Sequence, residues 1–245
     1  YQDSNEWRKL SARTKADYSG WLDEIDAKFG TAPKTAFERP AIRPLALAWR
    51  DQWSGRQADY AWQVLRLLVG WAYDRGLLAE HHLRGGGQIY ERDRSEIIWP
   101  DAARDAYAKV APRAELDALD AALETGMRPG DLVKLDRSRV LPTPGGRRIL
   151  VKTAKRSRMA SIPVTPRMGA IIDRAPETGP ILRNASGKPW TASYVSQRVK
   201  KYARKAELDG RLHLHDCRGT ACSQLLMAGA TLAEIALVFG WSLRY

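Results

Sequence analysis

The feature that most constrains this 245-residue chain is a run of three glycines in LRGGGQIYERDRSE, residues 83–96. Consecutive glycines among scattered charges sustain neither a helix nor a strand, so the segment is typical of a linker. Apolar periodicity is present on both sides of it and absent within it. We therefore predict a first domain over residues 1–82, a linker over 83–96 and a second domain over 97–245.

The first domain has the periodicity of helices. In ADYSGWLDEIDAKFG, residues 16–30, apolar side chains recur three or four positions apart, and the pattern ends at Gly30. We expect these side chains to face inward: Tyr18, Trp21, Leu22, Ile25 and Phe29. YAWQVLRLLVGWAYDRG, residues 60–76, repeats the pattern and ends at Gly76. We therefore predict that the first domain is helical.

The second domain mixes helices with short β-prone runs. RAELDALDAALETG, residues 113–126, predicts a helix that ends at Gly126. RRILVKT and MASIPVT flank the basic segment AKRSR, a pattern that predicts a hairpin. Thr165 followed by Pro166 predicts a further helix start.

Two later helices complete the second domain. TASYVSQRVKKYARKAEL predicts a helix whose inward residues are Tyr194, Val195, Val199 and Tyr202. Thr231 and Glu234 form a capping box that opens LAEIALVFG. The predicted fold is mainly α, with one small antiparallel β-sheet or hairpin in the second domain.

Positive charge is concentrated in one part of the chain. The net charge is +12, and residues 147–205 hold 15 Lys and Arg against two acidic residues. Such a field predicts a polyanion partner, double-stranded DNA first, in preference to a merely solvated basic face or a membrane. No membrane-spanning run and no signal peptide is present. Two cysteines, Cys217 and Cys222, form no disulfide framework, so we expect a cytoplasmic protein.

A metal site is the weaker interpretation of HLHDC. His213, His215 and Cys217 alternate there, with Cys222 beyond, but the segment also has a helical pattern that would scatter these groups. No second ligand cluster follows at a zinc-like spacing. A histidine buried as a hydrogen-bonded core group is the commoner case. We predict no metal and no cofactor, and the sequence contains neither a Walker loop nor a dinucleotide fingerprint.

Two arginines and a histidine suit a phosphodiester. Arg128 comes directly after a predicted helix end, and His215 and Arg218 are three positions apart, so they share one helix face. Guanidinium groups bind non-bridging phosphate oxygens in bidentate fashion and stay charged. Histidine can exchange a proton near neutral pH.

TGMRPGDL, the basic hairpin ending in IPVTP, and HDCRGTACSQLLMAGATLAEIALVFGWS together resemble the tyrosine recombinases, or phage integrases. The resemblance covers essentially the whole chain, with residues 1–82 similar to the SAM-like core-binding domain and the remainder to the catalytic domain. It implies a site-specific DNA recombinase of a phage or other mobile genetic element, acting through a 3′-phosphotyrosyl intermediate without metal. It also implies a tetramer on DNA, DNA-bending accessory proteins as further partners, and association with the bacterial nucleoid.

The resemblance also implies roles for individual residues. Arg128 and Arg218 match the arginines that clamp the scissile phosphate, and Asp131 matches the acidic residue that supports them. His215 matches the histidine that assists proton transfer. Trp241 stands where the family has histidine or tryptophan, and its indole N–H can donate one hydrogen bond.

The hairpin lysine and the DNA contacts complete the predicted site. Lys155 resembles the lysine that protonates the leaving 5′ oxygen, and Lys152 is a competing candidate. The residues predicted to bind the DNA backbone are basic side chains of the hairpin and of the helix TASYVSQRVKKYARKAEL: Lys152, Arg156, Arg158, Arg198, Lys200, Lys201, Arg204 and Lys205.

The chain departs from the family at its last residue. The family's nucleophilic tyrosine lies on a separate helix two or more turns past the position of Trp241, whereas Tyr245 is only four residues past it. We expect Tyr245 to be a packed residue, the sequence to lack its nucleophile, and the chain to be inactive without it. The alternatives are an inert relative that only binds duplex DNA, and a type IB topoisomerase.

Overall fold

A computed structural model describes residues 1–86, 89–91, 93–154 and 157–242. The chain forms two compact units, Tyr1–Arg92 and Asp93–Tyr245. We refer to them as the first and the second unit.

The boundary between the units lies inside the predicted linker. Leu83, at the start of that segment, is fully buried in the core of the first unit. Ile97, just after its end, packs against the core of the second unit. The chain on either side of the boundary is therefore held by apolar packing within its own unit.

The first unit is helical, as predicted. Its helices are α1 Asn5–Arg8, α2 Ala12–Phe29, α3 Ile42–Arg50 and α4 Gly55–Asp74. Helix α2 begins where the Ser11 hydroxyl accepts a hydrogen bond from the Thr14 amide at 3.1 Å, which satisfies an otherwise unpaired donor. Of the residues predicted to face inward on α2, three are buried and two are partly buried in the same core.

Aromatic rings fill the core of the first unit. Trp49 is buried, and its ring lies 5.6 Å from that of Phe29 and 4.8 Å from that of Trp53, between centroids, with both pairs close to perpendicular. Trp53 makes the same edge-to-face contact with Trp21 at 5.2 Å. Edge-to-face pairs add to the free energy of area burial, so these rings fix the packing of α2 and α3.

The second unit is built around one buried helix. Its helices are α5 Asp101–Val110, α6 Arg113–Thr125, α7 Pro129–Leu132, α8 Pro166–Arg174, α9 Ala192–Lys205, α10 Cys217–Met227 and α11 Leu232–Phe239. Helix α6 packs against α8, α9 and α10. Its buried residues include the carboxylates of Glu115 and Asp120, which pair with Arg198 and Arg104. Ion pairing is what allows these two charges to lie in the core.

A three-stranded antiparallel sheet lies beside these helices. Its strands are β1 Val140–Thr143, β2 Gly146–Lys152 and β3 Met159–Pro163, in the order β1-β2-β3. The β2–β3 hairpin is the predicted one, and Ile149 faces Ile162 across it, both buried. Strand β1 was not predicted. It is a short edge strand containing Pro142, which has no N–H for a ladder, and it carries no apolar alternation.

The prediction that all four apolar residues of α9 face inward is wrong for Tyr194. Tyr194 is 45% exposed, and the buried positions of this helix are Val195, Val199 and Ala203. The Tyr194 ring lies over that of the buried Trp190, with 5.3 Å between centroids, so it covers the core from outside. The mainly α fold with one small antiparallel sheet is confirmed.

Within the described part of the chain, no helix combines the length and the apolar character needed to cross a bilayer.

The Trp49→Ala variant tests the aromatic core. Removing a fully buried indole leaves a cavity, so we expect the free energy of unfolding to fall by about 3–5 kcal/mol. Leu45→Ala, on the same helix at a position that is 60% exposed, is the matched control and should change it by less than about 0.5 kcal/mol. Urea denaturation followed by far-UV circular dichroism measures both. Equal effects would contradict the packing described for α3.

Candidate active site

The turn between α6 and α7 presents Arg128. Helix α6 ends at Gly126, whose φ of +58° is left-handed and suits glycine. Arg128 then takes an extended conformation and caps α7, and Pro129 occupies the first helical position. Arg128 is half-buried, and its guanidinium has no hydrogen bond or ion pair with any described residue. A half-buried cation without a partner is available to an anionic ligand.

Arg218, the second predicted arginine, is fixed by two backbone carbonyls. Its Nη1 donates to the Gly126 carbonyl oxygen at 2.7 Å, and its Nη2 donates to the Phe239 carbonyl oxygen at 3.0 Å. Arg218 belongs to α10, Gly126 ends α6 and Phe239 ends α11. One guanidinium therefore joins three helices.

Two stacked aromatic rings lie against the same guanidinium. The Cζ atom of Arg218 is 4.6 Å from the centroid of the Phe239 ring and 5.3 Å from that of the Trp241 ring. The two rings are stacked, with 4.9 Å between centroids and 26° between planes. Cation–π contacts of this kind hold the guanidinium in place without using its N–H donors. Trp241 is 40% exposed, so part of its indole remains open to solvent.

The charges of the two arginines act on each other. The pKa of the Arg218 guanidinium is lowered to about 10, first by burial and next by the positive charge of Arg128, while Asp131 and Cys222 oppose the shift. Arg218 is still protonated at neutral pH. A desolvated cation beside a second positive charge is typical of a site that binds the opposite charge.

Asp131 connects this turn to the hairpin. Its Oδ1 accepts a hydrogen bond from the Ala154 amide at 3.1 Å, just past the end of β2. Next to it, Thr153 is buried, and its amide donates to the Arg158 carbonyl oxygen at 2.8 Å. A Cβ placed on Gly240 would lie 3.2 Å from Thr153 Cγ2, so the end of α11 is packed against the same turn. The base of the hairpin turn is therefore held on two sides.

His215 lies in a 3-10 turn, Leu214–Asp216, that leads into α10. Its side chain is exposed, and its imidazole forms no hydrogen bond with a described residue. It stands three residues before Arg218, which lies in α10. The neighbouring Asp216 is buried, and its Oδ2 accepts a hydrogen bond from the His213 amide at 2.8 Å. His213 and Asp216 thus hold the backbone on both sides of His215.

The structure brings Arg128, Asp131, Arg218 and Trp241 together. Lys155, Arg156 and Tyr245, by contrast, fall outside the described residues. Lys152, the other candidate for the hairpin lysine, is exposed at the end of β2, opposite Met159. Arg158 is half-buried on the far side of the turn.

No group of three or more His, Cys, Asp or Glu side chains suited to a metal ion occurs among the residues that the structure describes. Of the HLHDC segment, only Cys217 lies in α10, whereas His215 lies in the 3-10 turn before it. Cys217 is fully buried, and burial raises the pKa of its thiol, whereas His215 is exposed.

Helix α9 presents a row of cations, which we call the basic face: Lys200, Lys201, Arg204 and Lys205. All four are exposed, and none forms an ion pair with a described residue. Arg198, on the same helix, is paired within the second unit. Its Nε and Nη2 donate to Glu115 Oε1 at 2.8 and 2.5 Å, so its charge is balanced within the core. Arg198 is a core ion-pair residue and is not a member of the basic face.

Sequence reasoning missed the groups that hold the site. The carbonyl oxygens of Gly126 and Phe239 and the amide of Ala154 are backbone atoms, and no side-chain pattern predicts their use. Gly126 is the one position with a recognisable signal, because a helix-ending glycine marks a place where C-terminal carbonyls have no partner within the helix.

The family model of the Phage integrase family matches residues 99–243, more than half of the chain. The chain belongs to the phage integrase family, whose members are tyrosine recombinases. No curated protein sequence matches it significantly.

The fold is similar to solved structures of two integrases. A lambda integrase dimer bound to a COC' core site has a TM-score of 0.76 at 17% identity, covering 96% of this chain and 70% of that chain. A lambda integrase tetramer bound to a Holliday junction has a TM-score of 0.77 at 17% identity, covering 97% and 74%. The Tn1549 transposon integrase in complex with circular intermediate DNA has a TM-score of 0.72 at 15% identity, covering 96% and 88%. At such low identities the likeness shows a shared fold.

The Gly126→Ala variant tests the support of Arg218. The added Cβ would lie 2.2 Å from Phe239 Cε1 and 3.1 Å from the Ala221 Cβ, at a φ of +58°. Phe239 must move, and its carbonyl would leave Arg218. We expect the free energy of unfolding to fall by about 2 kcal/mol or more, measured by urea denaturation.

Gly130→Ala is the matched control, four residues away in α7. Its Cβ would meet no atom within 4 Å, and its φ is not positive. We expect no loss of stability, because alanine is the better helix former. Equal losses in the two variants would contradict the close packing of Gly126.

Proposed function

We propose that the protein is a site-specific DNA recombinase that cleaves and rejoins strands through a 3′-phosphotyrosyl intermediate. Membership of the phage integrase family supports this proposal. The observation that carries it is the pair of guanidinium groups at one site. Arg218 is immobilised by two carbonyls, and Arg128 is half-buried without a partner among the described residues. A phosphodiester supplies the negative charge that such a pair lacks.

In this proposal the arginines stabilise the transition state. During phosphoryl transfer, charge develops on the non-bridging oxygens, and fixed positive groups are most effective when they need no rearrangement. Arg218 meets that condition because the carbonyls and the stacked rings hold it. Arg128, in the turn between α6 and α7, binds the same phosphate. Asp131 supports the site by holding Ala154 at the base of the hairpin turn.

The chemical step is a transesterification that balances without another reagent. A tyrosine hydroxyl oxygen attacks the phosphorus and loses its proton, and the bond from phosphorus to the 5′ oxygen breaks. The departing 5′ oxygen takes up a proton, which we assign to the hairpin lysine, Lys155 or Lys152. A second 5′ hydroxyl then reverses the step on a new partner strand. In this proposal His215 assists proton transfer, and the Trp241 indole N–H donates one hydrogen bond.

Double-stranded DNA is the proposed partner. The basic face of α9 would follow the phosphate backbone together with Lys152, Arg156 and Arg158 of the hairpin. The lambda and Tn1549 integrases, whose folds are similar, were solved on DNA, one of them as a tetramer on a Holliday junction. By analogy we propose that residues 1–82 act as the core-binding domain, that residues 97–245 act as the catalytic domain, and that the protein assembles as a tetramer on its site.

The Arg128→Ala variant tests the site. The full protein is incubated with a pool of nicked duplexes of randomised sequence, and covalent protein–DNA adducts that survive detergent are counted. We expect adducts to fall at least about 100-fold, because the variant lacks a charge that neutralises the transition state. Duplex affinity should stay within about tenfold. Arg113→Ala, an exposed arginine paired with Asp117, is the control and should leave adducts unchanged.

Several outcomes would overturn this proposal. Adducts that persist at full yield in Arg128→Ala would remove Arg128 from the site. Duplex binding with no adduct in the unaltered protein would favour the inert DNA-binding alternative. Adducts without sequence enrichment, together with relaxation of a supercoiled plasmid, would favour a topoisomerase.

The triple variant Lys200→Ala, Lys201→Ala, Arg204→Ala tests the basic face. If these side chains neutralise phosphates, the slope of log affinity against log salt should become shallower by about 0.9 for each phosphate that is no longer neutralised. Binding should weaken alike for all duplex sequences, as a fluorescence-anisotropy titration at several salt concentrations would show.

A second triple variant controls for net charge. Arg113, Arg167 and Arg174 are paired with Asp117 and Glu124, so their replacement by alanine removes the same number of charges from cations that are already neutralised. We expect a smaller change in the salt slope. Equal slopes in the two triple variants would mean that only net charge matters and would contradict a DNA-tracking role for α9.

A further inference from the structure

The chain enters the second unit through a segment that is bound to the turn carrying His215. Arg94 is the second residue of this unit, and its side chain forms an ion pair with the buried carboxylate of Asp216. Its Nε donates to Asp216 Oδ1 at 2.9 Å, and its Nη2 donates to Asp216 Oδ2 and, at 2.6 Å, to the Arg211 carbonyl oxygen. The guanidinium fork therefore spans both carboxylate oxygens and one backbone oxygen.

Trp99 adds two hydrogen bonds from the same segment. Its backbone amide donates to Thr220 Oγ1 at 2.8 Å, and its indole Nε1 donates to the His213 carbonyl oxygen at 3.0 Å. Thr220 Oγ1 donates in turn to the Asp216 carbonyl oxygen at 3.1 Å. The acceptors of these contacts lie on both sides of His215 in the chain, and none of the described hydrogen bonds from this segment reaches His215 itself.

We propose that Arg94 is a positioning residue for His215, acting through Asp216. The His215 imidazole is exposed and has no hydrogen-bond partner among the described residues, so its place is set by the backbone of its turn. That backbone is held by Asp216, whose Oδ2 accepts from the His213 amide at 2.8 Å. Arg94 neutralises and orients this buried carboxylate. Without the guanidinium, Asp216 would be a buried charge without its cation, and the turn would rearrange to hydrate it.

The inference rests on the proposed function in one respect, which is that His215 takes part in strand cleavage. The placement of the turn does not depend on that role. A spectroscopic readout of His215 therefore tests the positioning, and an adduct assay tests its consequence for the chemistry.

Arg104 provides a matched control. It pairs with the buried Asp120, and the two ion pairs have nearly equal exposure: the side chains are 22% and 4% exposed for Arg94 and Asp216, and 20% and 4% for Arg104 and Asp120. The Arg104 pair joins α5 to α6, and its side-chain hydrogen bonds go to Asp120 and Asp105, with none among the described residues to the turn of His215. Replacing either arginine removes a comparable ion pair, and only Arg94 is bound to this turn.

The experiment compares Arg94→Ala and Arg104→Ala in the full protein. The sequence has four histidines, so imidazole carbon–proton NMR spectra resolve each one, and His215→Gln assigns the signal of interest. We expect Arg94→Ala to shift the His215 resonance, and Arg104→Ala to leave it in place. A His215 signal that is unchanged in Arg94→Ala, or equally changed in both variants, would overturn the proposal.

Covalent adduct formation gives the second readout. Arg94→Ala should lower the rate of adduct formation about 10- to 100-fold at saturating DNA, with duplex affinity unchanged, because a misplaced catalytic group lowers the rate of the chemical step. Arg94→Lys keeps the positive charge but cannot donate from two nitrogens to both carboxylate oxygens of Asp216. It should therefore restore part of the rate. A fall in affinity with an unchanged rate would overturn the positioning role.

Two further outcomes keep the proposals separate. If Arg94→Ala does not fold, Arg94→Lys alone carries the NMR comparison with Arg104→Ala. We expect Arg94→Lys to shift the His215 resonance, and no shift would overturn the proposal. If the unaltered protein forms no adducts, the proposed function fails. The NMR comparison still decides whether Arg94 places His215.

Discussion

The guanidinium of Arg218 holds the site together because it binds the C-terminal ends of two helices at once. The carbonyls at a helix C-terminus lack partners within the helix and carry partial negative charge, so a cation both satisfies and stabilises them. Arg218 reaches one such carbonyl at Gly126, the cap of α6, and another at Phe239, the last residue of α11. Both helices end in a left-handed glycine, Gly126 and Gly240, which turns the chain away beyond these carbonyls.

This arrangement gives the two arginines different roles. Arg218 is immobile, and the N–H groups that do not bind Gly126 and Phe239 remain for a ligand. Arg128 stands on the short turn after Gly126 and is free of protein partners within the described chain. A rigid charge beside an available one suits phosphoryl transfer, in which a preorganised positive field lowers the barrier without rearrangement. The same proximity disfavours the empty site, because the charge of Arg128 adds to the burial that lowers the pKa of Arg218.

Much of this fold could be predicted because its local signals agree with its packing. The capping box at Thr231 and the helix end at Gly126 were predicted from a few neighbouring residues, and both are present. Strand β1 was not predicted, because this edge strand has no alternation of apolar and polar residues and Pro142 lacks a backbone N–H donor. The pairing of Arg198 with Glu115 joins residues 83 positions apart. A pattern of basic residues on one helix does not reveal which of them faces a buried carboxylate, so the sequence does not indicate this ion pair.

The most direct test of this account is the pKa of Arg218, measured by following its guanidinium carbon in NMR spectra over a pH titration, with the fold checked at each pH by circular dichroism. We expect a midpoint near 10 in the unaltered protein. We expect a higher midpoint in Arg128→Gln, because one of the two positive charges is gone. A midpoint in the ordinary arginine range in both proteins would contradict this expectation. The two guanidinium groups would then not share one desolvated site.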